Sequence, residues 1–383
     1  MQITELLQDE AQRRREFPVC ETKVFLAHAG VTALPRRVSQ AVQDYAAQCT
    51  QGDQETLLPA YRIRKSRELA AKLIGASPEE VAFVGPTSLA LSFVASGLRW
   101  KRHSNILVYF DDYPSNVYPW MALAEQGVEV RFINVRELGL LRAIDVLGQI
   151  DENTRMVALA SCHFIAGYRI DIEAIGKVLR EKKVLFCVDA IQTLGAFPMD
   201  VRHVDFLAAD AHKWLLGPCA AGIFYVRREL QELLRPPVYG WHNVLSPNFV
   251  AQEQIQYPPD ARKYEAGSDN LLGLVGLHAA MELLLEVGVE NIAAELLRKR
   301  QWFVPELVKK GCAVLHAELP ATHASGIISF RRQGTDMAAL HRRMEEQGIV
   351  TSLRRDRQGR EFIRVSPHFY NTDTELARVL EFL

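Results

Sequence analysis

Several features are missing from this 383-residue sequence, and each absence excludes a class of function. No apolar run is long enough to cross a bilayer, so no membrane role is expected. The opening stretch "MQITELLQDEAQRRREF" turns charged at once and lacks the apolar segment of a signal peptide. Charge of one sign is also lacking: 45 Lys and Arg against 46 Asp and Glu leave a formal net charge of -1, and no general field for nucleic acid or anionic lipid. The six cysteines (Cys20, Cys49, Cys162, Cys187, Cys219, Cys312) include no Cys-x-x-Cys pair and no ligand-like histidine spacing. Neither a disulfide framework nor a metal site is signalled, and reduced thiols in a cytoplasmic protein are expected. No strand-like run is followed by Gly-x-Gly-x-x-Gly, which sets aside a nicotinamide-binding fold. Internal repeats and low-complexity tracts are absent too.

What the chain does have is apolar material, 48% of its residues, and a length that points to about two domains. Between about 80 and 230, short apolar runs alternate with helical stretches. The runs are "VAFVGP", "NILVYF", "VEVRFIN", "RMVALAS", "VLFCVDA" and "VDFLAAD". Most lack polar alternation, as strands covered on both faces do, and the pattern predicts a mostly parallel α/β sheet. "AAGIFYVRR" follows a Gly-Pro turn too closely for a crossover helix and is expected as an antiparallel neighbour. After a proline-rich loop, "LLGLVGLHAAMELLLEVG" predicts a long apolar helix. A smaller α+β section follows, with "SGIISFRR" and "EFIRVS" as strands and "DMAALHRRMEEQG" as a helix ended by Gly348. The expected division is a large domain over 20–255 and a small one formed by 1–19 with 256–383.

Ligands of open α/β sheets sit outside the carboxyl ends of the strands. Asp189 closes one apolar run there, and a buried carboxylate needs a partner or a helix to cap. Thr87 and Ser88 sit between a strand and a helix, where they serve either as an ordinary N-cap or as an anion cup at the positive end of the helix dipole. Lys213, in "LAADAHKWLLGP", lies just beyond another strand end at the same edge. A lysine for a Schiff base, a carboxylate for a pyridine nitrogen and an anion site for a phosphate are together what pyridoxal phosphate requires.

The stretch "VLFCVDAIQTLGAFPMDVRHVDFLAADAHKWLLGPCAAGIFYVRR" resembles the class V aminotransferase family of fold-type I pyridoxal-phosphate enzymes, in its cysteine desulfurase and isopenicillin N epimerase-like branch. The resemblance runs from "FLAHAG" to "RVSPHFYNT". It implies a large domain with a mixed, mostly parallel sheet plus a smaller α+β C-terminal domain. It also implies Lys213 as the Schiff-base lysine, Asp189 as the partner of the pyridine nitrogen and Gln192 as donor to the phenolic oxygen. Thr87, Ser88 and His212 would line the phosphate site, and Tyr113 would stack on the cofactor ring. Ser268 of "YEAGSDN" stands where the family has a threonine reaching the phosphate of the neighbouring subunit, which implies a homodimer with shared sites. Arg364 of "EFIRVS" resembles the arginine that grips the substrate's α-carboxylate, although a structural ion pair also fits a strand arginine. His28 and His163 are further substrate-binding candidates, and either also fits a satisfied loop residue.

Two departures qualify the resemblance. Desulfurases attack sulfur with a cysteine shortly before the arginine strand, and "TSLRRDRQGR" holds none. Asp210 stands three residues before the lysine, where relatives often have a phosphate-binding serine, so its carboxylate is expected to turn away onto an N–H group or a basic neighbour. Transamination of an amino acid is the leading expectation. A pyridoxal-phosphate epimerase or C–S/β-lyase is the alternative, and a non-catalytic scaffold of the same fold is a third. The arginines of the last loop raise the question of a second acidic group on the substrate, against the plainer reading of a solvated charge run.

Overall fold

The computed structural model describes all 383 residues. Its strands in chain order are β1 (Val24–Phe25), β2 (Val81–Phe83), β3 (Asn105–Val108), β4 (Glu129–Phe132), β5 (Thr154–Ala160), β6 (Leu185–Asp189) and β7 (Phe206–Ala209). They continue with β8 (Ile223–Val226), β9 (Cys312–Val314), β10 (Ile328–Arg332), β11 (Ile349–Val350), β12 (Ser352–Arg355) and β13 (Glu361–Val365). Seven form one sheet in the order β2-β8-β7-β6-β5-β3-β4. Only β8 runs against the rest, as the short Gly-Pro connection requires. Every residue of β3, β6, β7 and β8 is buried, which is why these runs show no polar alternation.

A smaller antiparallel sheet, β12-β13-β10-β9, lies toward the C-terminus, and β1 pairs in parallel with β11 beside it. Strand β12 corrects the sequence reading, which took its arginines for part of a loop. Ser352 to Arg355 pair with β13 in regular register, and only the turn Asp356 to Arg360 is loop. The helix Leu271–Val287 packs on helices Arg36–Gln48 and Ala60–Ile74, and its apolar side chains share a core with the large sheet. That helix lies on the small-domain side of the expected boundary at 255, yet its packing partners are those of the large domain. No single helix is long and apolar enough to span a membrane.

Candidate functional site

Strands β6 and β7 run side by side and in parallel, so their carboxyl ends deliver Asp189 and the loop carrying Lys213 to one edge. The loop is held from below. Trp214, Leu215 and Leu216 are buried, His368 Nε2 bonds Trp214 O at 3.1 Å, and Leu216 adopts a left-handed φ of 58° to close the turn. Gly195 must be glycine, with φ 91° and an ideal Cβ only 2.5 Å from Trp214 O. Lys213 Nζ therefore opens into a cleft of about 310 Å³ lined by Tyr113, Phe164, Gln192, Ser352, Arg354 and Arg364 among others.

The electrostatics of the cleft make the Lys213 amine easier to deprotonate than an ordinary lysine. Burial lowers the Lys213 pKa to about 8, with Asp189 opposing and Arg364 and Arg354 assisting. Its ammonium lies 5.2 Å from the centre of the Tyr113 ring, which stands edge-on to Phe164. Asp189 is buried and takes one hydrogen bond from the protein, from the Ile191 amide at 3.0 Å. Burial raises its pKa against the pull of that amide, Lys213 and His212. Trp214 Nε1 donates to Gln192 Oε1 at 2.9 Å, which fixes the amide orientation, and Gln192 Nε2 donates to Ala29 O at 3.1 Å. One further Gln192 N–H remains available at the cleft wall.

Arg364 is 1% exposed and makes only neutral contacts, Nη1 to Phe164 O at 2.7 Å and Nη2 to Ser352 Oγ at 3.3 Å. Its Nε is buried without a partner. Burial and the charge of Arg354 both disfavour its charged form, so the guanidinium lacks the anion that would offset them. A Cβ on Gly30 would lie 3.6 Å from Arg364 Nη2, so the glycine keeps space open beside it.

Thr87 and Ser88 begin the helix Thr87–Gly97, and neither backbone amide is engaged by another backbone group. Thr87 Oγ1 accepts from the Asp210 amide at 2.9 Å, which ties this helix start to the lysine loop. Asp210 turns its carboxylate onto the amides of Ala211, Ala220 and Ala221 and onto His212 Nδ1 at 2.8 Å. Burial would raise its pKa, but the His212 hydrogen bond and charge and the Ala220 and Ala211 amides outweigh it and hold the group low. Its stabilisation is therefore complete above the unfolded carboxylate value near ~4 and is lost as pH falls below that value. Asp210→Ala leaves three amides without their acceptor, and we expect a loss of about 3 kcal/mol in urea unfolding at pH 7. An unchanged urea midpoint would contradict this role.

Other candidates stand elsewhere. His28 is fully buried away from the cleft, bonded through Nδ1 to Thr32 and packed among Phe25, Trp214, His368 and Tyr370. The chain turns here, with the Gly30 amide bonded to Ala27 O, and Ala27, Ala29, Gly30 and Val31 line the cleft instead. His163 is a turn brace: Nε2 bonds Asp111 O, Nδ1 accepts from the Ile165 and Ala166 amides, and its neighbour Phe164 lines the cleft. Both histidines are thus one residue out of register with the site. Ser268 is exposed on another cavity with Gly85, Leu89 and Ala220, and donates to Glu55 at 2.8 Å. Its loop is anchored by Glu265, which pairs with buried Arg67 and accepts from the Phe83 amide. Glu265 also groups with His242 and Asp269 in that region, away from Lys213.

Three residues were not singled out from the sequence. Asp112, buried beneath the Tyr113 turn, accepts from the amides of Tyr113 and Ala160 and from Asn116, and burial with nearby Asp189 raises its pKa to about 7. Arg354 and Ser352 come from β12. The sequence signal for those two was the same residues seen with a period of two, "S-L-R", facing Arg364.

The donor set fits pyridoxal phosphate: an amine of depressed pKa, a buried carboxylate with one hydrogen bond, an amide N–H at the cleft wall and two free amides at a helix start. Comparisons with known proteins agree. The profile of the family described as aminotransferase class V matches residues 24–379. A probable cysteine desulfurase of Methanothermobacter thermautotrophicus is 32% identical over 286 residues, 73% of this chain and 71% of that protein. The uncharacterized aminotransferase YcbU of Bacillus subtilis is 30% identical over 97% of this chain and 96% of its own length. Among solved structures, an apo cysteine desulfurase from Thermococcus onnurineus superposes with TM-score 0.88 at 23% identity, covering 97% of this chain and 96% of its own. The cystine C–S lyase C-DES, solved with its product cysteine persulfide, superposes with TM-score 0.86 at 21% identity, covering 95% and 98%.

Proposed function

Because this chain belongs to the class V aminotransferase family, whose cofactor is pyridoxal phosphate, we propose that it transfers the amino group of an amino acid. One observation carries the reading: Lys213 and the unneutralised Arg364 open onto the same cleft, and no cysteine lines it. When bound, the cofactor supplies an electron sink for the α-carbanion of the substrate. The chain's own groups do the rest. Arg364 grips the α-carboxylate with its planar fork and so aims the α-hydrogen at Lys213 Nζ, which takes that proton and delivers it again. Asp189 would set its negative charge against the cofactor's protonated ring nitrogen, and Gln192 would donate to its phenolic oxygen. Thr87, Ser88 and His212 would hold its phosphate, and Tyr113 would stack on its ring.

Ser268 faces away from its own Lys213 cleft, so its part in phosphate binding requires a second copy of the chain. The exposed apolar side chains of Tyr239, Trp241, Val250 and Phe249, the last 80% exposed, support such a dimer. Sedimentation should give a mass twice the 43.2 kDa of one chain, and a monomer would remove Ser268 from the site.

A C–S lyase is the second reading, since several relatives are named probable cysteine desulfurases, enzymes that also break a C–S bond. A desulfurase proper needs a thiolate in the cleft, whereas burial pushes the Cys20 and Cys162 thiols up to about 12 and about 11, and Cys49 and Cys219 lie outside it. Single-turnover products separate the readings. Transfer yields one keto acid per site and stops until an acceptor is added. Elimination from cysteine yields pyruvate, ammonia and sulfide continuously, and epimerisation exchanges the α-hydrogen with no keto acid. Either of the last two outcomes overturns the transaminase reading.

A further inference from the structure

The hairpin β12–β13 carries four arginines near its turn, and three of them have carboxylate partners. Arg355 pairs with Glu361, Arg357 with Asp111 and Arg360 with Asp356. The fourth, Arg354, has neither a salt bridge nor a hydrogen bond, and its Nε is buried without a partner. It is also the one of the four that lines the Lys213 cleft.

The strand register explains how it gets there. Ser352 lies directly opposite Arg364 across the ladder, and Arg354 opposite Phe362. Side chains two residues apart share a face, so Arg354 stands on the same face as Ser352, diagonal to Arg364. Diagonal neighbours of this kind are roughly 7–8 Å apart, which long side chains span. Two guanidiniums thus face one cleft, the deeper one fully buried, and the neutral groups around them, Phe164 O and Ser352 Oγ, supply no counter-charge. Asp189, the carboxylate that bears on the cleft, stands at the lysine end, where the cofactor's ring nitrogen would take it.

We infer that the cleft is built for a dicarboxylic substrate, with Arg364 taking the α-carboxylate and Arg354 the distal one. This deepens the proposed function and rests on the Lys213 cleft being the amino-acid site. An amino acid of the aspartate or glutamate type, and the matching keto diacid, then satisfy both arginines in turn. One pair of guanidiniums serves both half-reactions, which answers how donor and acceptor fit a single pocket. Arg354 is a specificity residue here, touching the substrate end remote from the reacting carbon.

The test uses ligands without an amino group, so that binding is read without turnover. Calorimetric titration of the purified protein compares glutarate and succinate with butyrate and propionate. Wild type should bind a diacid about 10- to 100-fold more tightly than the monoacid of similar length, the worth of one charge-assisted contact. Arg354→Gln should bring the diacids down to the monoacid level while leaving the monoacids within about twofold, and Arg364→Gln should weaken both classes. Arg354→Lys, which keeps the charge without the fork, should fall between, and covers the case in which the glutamine variant misfolds. Equal affinity of wild type for diacids and monoacids overturns the inference, as it would if a carboxylate from a second chain already occupied Arg354. An Arg354→Gln variant that weakens both classes equally overturns it as well. Failure of the transaminase reading would appear separately, as an absence of keto acid with diacid binding intact.

Discussion

Lys213→Ala should abolish the visible band that borohydride bleaches in the wild-type protein, and should lower turnover by at least about 10²–10⁴-fold, the usual worth of a positioned proton carrier. The size of the effect follows from the cleft. An amine with a pKa of about 8 is half neutral at pH 8, whereas an ordinary lysine near ~10.4 is neutral in roughly one molecule of 250. Burial lowers the pKa because it penalises the ammonium, so formation of the borohydride-fixable adduct should rise with pH through about 8 and level off above it. Stopped-flow mixing of the cofactor-free protein with pyridoxal phosphate reads this directly. A rate still climbing at pH 10 would show that Lys213 is an ordinary solvated amine. Lys213→Arg is the matching control: it keeps a cation beside Asp189 but has no amine to react, and it should be as inactive as the alanine variant.

Asp189→Asn should cost about 10²–10³-fold in kcat/KM, the range seen when one preorganised electrostatic partner is removed from a buried site. The substitution is nearly isosteric. Asparagine can still accept from the Ile191 amide, so the fold has little reason to change and the loss is one of charge. Two further readouts follow from the same removal. Asp189 holds the Lys213 pKa up against burial, so without its charge that pKa should drop further below 8 and the adduct-formation profile should move to lower pH. Asp112, whose pKa is raised to about 7 by burial and then by Asp189, should fall toward the ordinary carboxylate range. A variant that loses activity with the lysine profile unmoved would place Asp189 outside electrostatic reach of the amine.

The Asp210 contacts show why a departure from a family pattern need not spoil a phosphate site. A carboxylate three residues before the lysine repels phosphate only if it points there. Three amides and His212 occupy both of its oxygens, and Thr87 is tied to its backbone. The same arrangement fixes one ring nitrogen of His212, which lines the cleft beside Lys213.

Much of this was legible in the chain itself. Short apolar runs flanked by helical repeats determined the sheet, because strands buried on both faces cannot tolerate polar alternation. The Gly-Pro turn after Lys213 determined that β8 runs backwards, since a few residues cannot form a crossover. The carboxyl ends of β6 and β7 then place Asp189 and Lys213 at one edge whatever the rest of the molecule does. Direction within a strand or loop was another matter. His28 and His163 sit in the right segments but on the wrong side: both lie at turns whose neighbours Ala27, Ala29 and Phe164 take the cleft, and only packing against Trp214 and the Asp111 turn decides which side is which. The arginines of β12 were equally opaque. Their sequence reads as a solvated charge run, and the pairing mixes near partners with a far one: Glu361 takes Arg355 from six positions away, Asp356 takes Arg360 from four, Asp111 takes Arg357 from 246, and nothing takes Arg354. Sequence sets which charges exist and how strands alternate; which of those charges is left without a counter-ion is decided only when the tertiary fold brings distant groups within Coulombic reach.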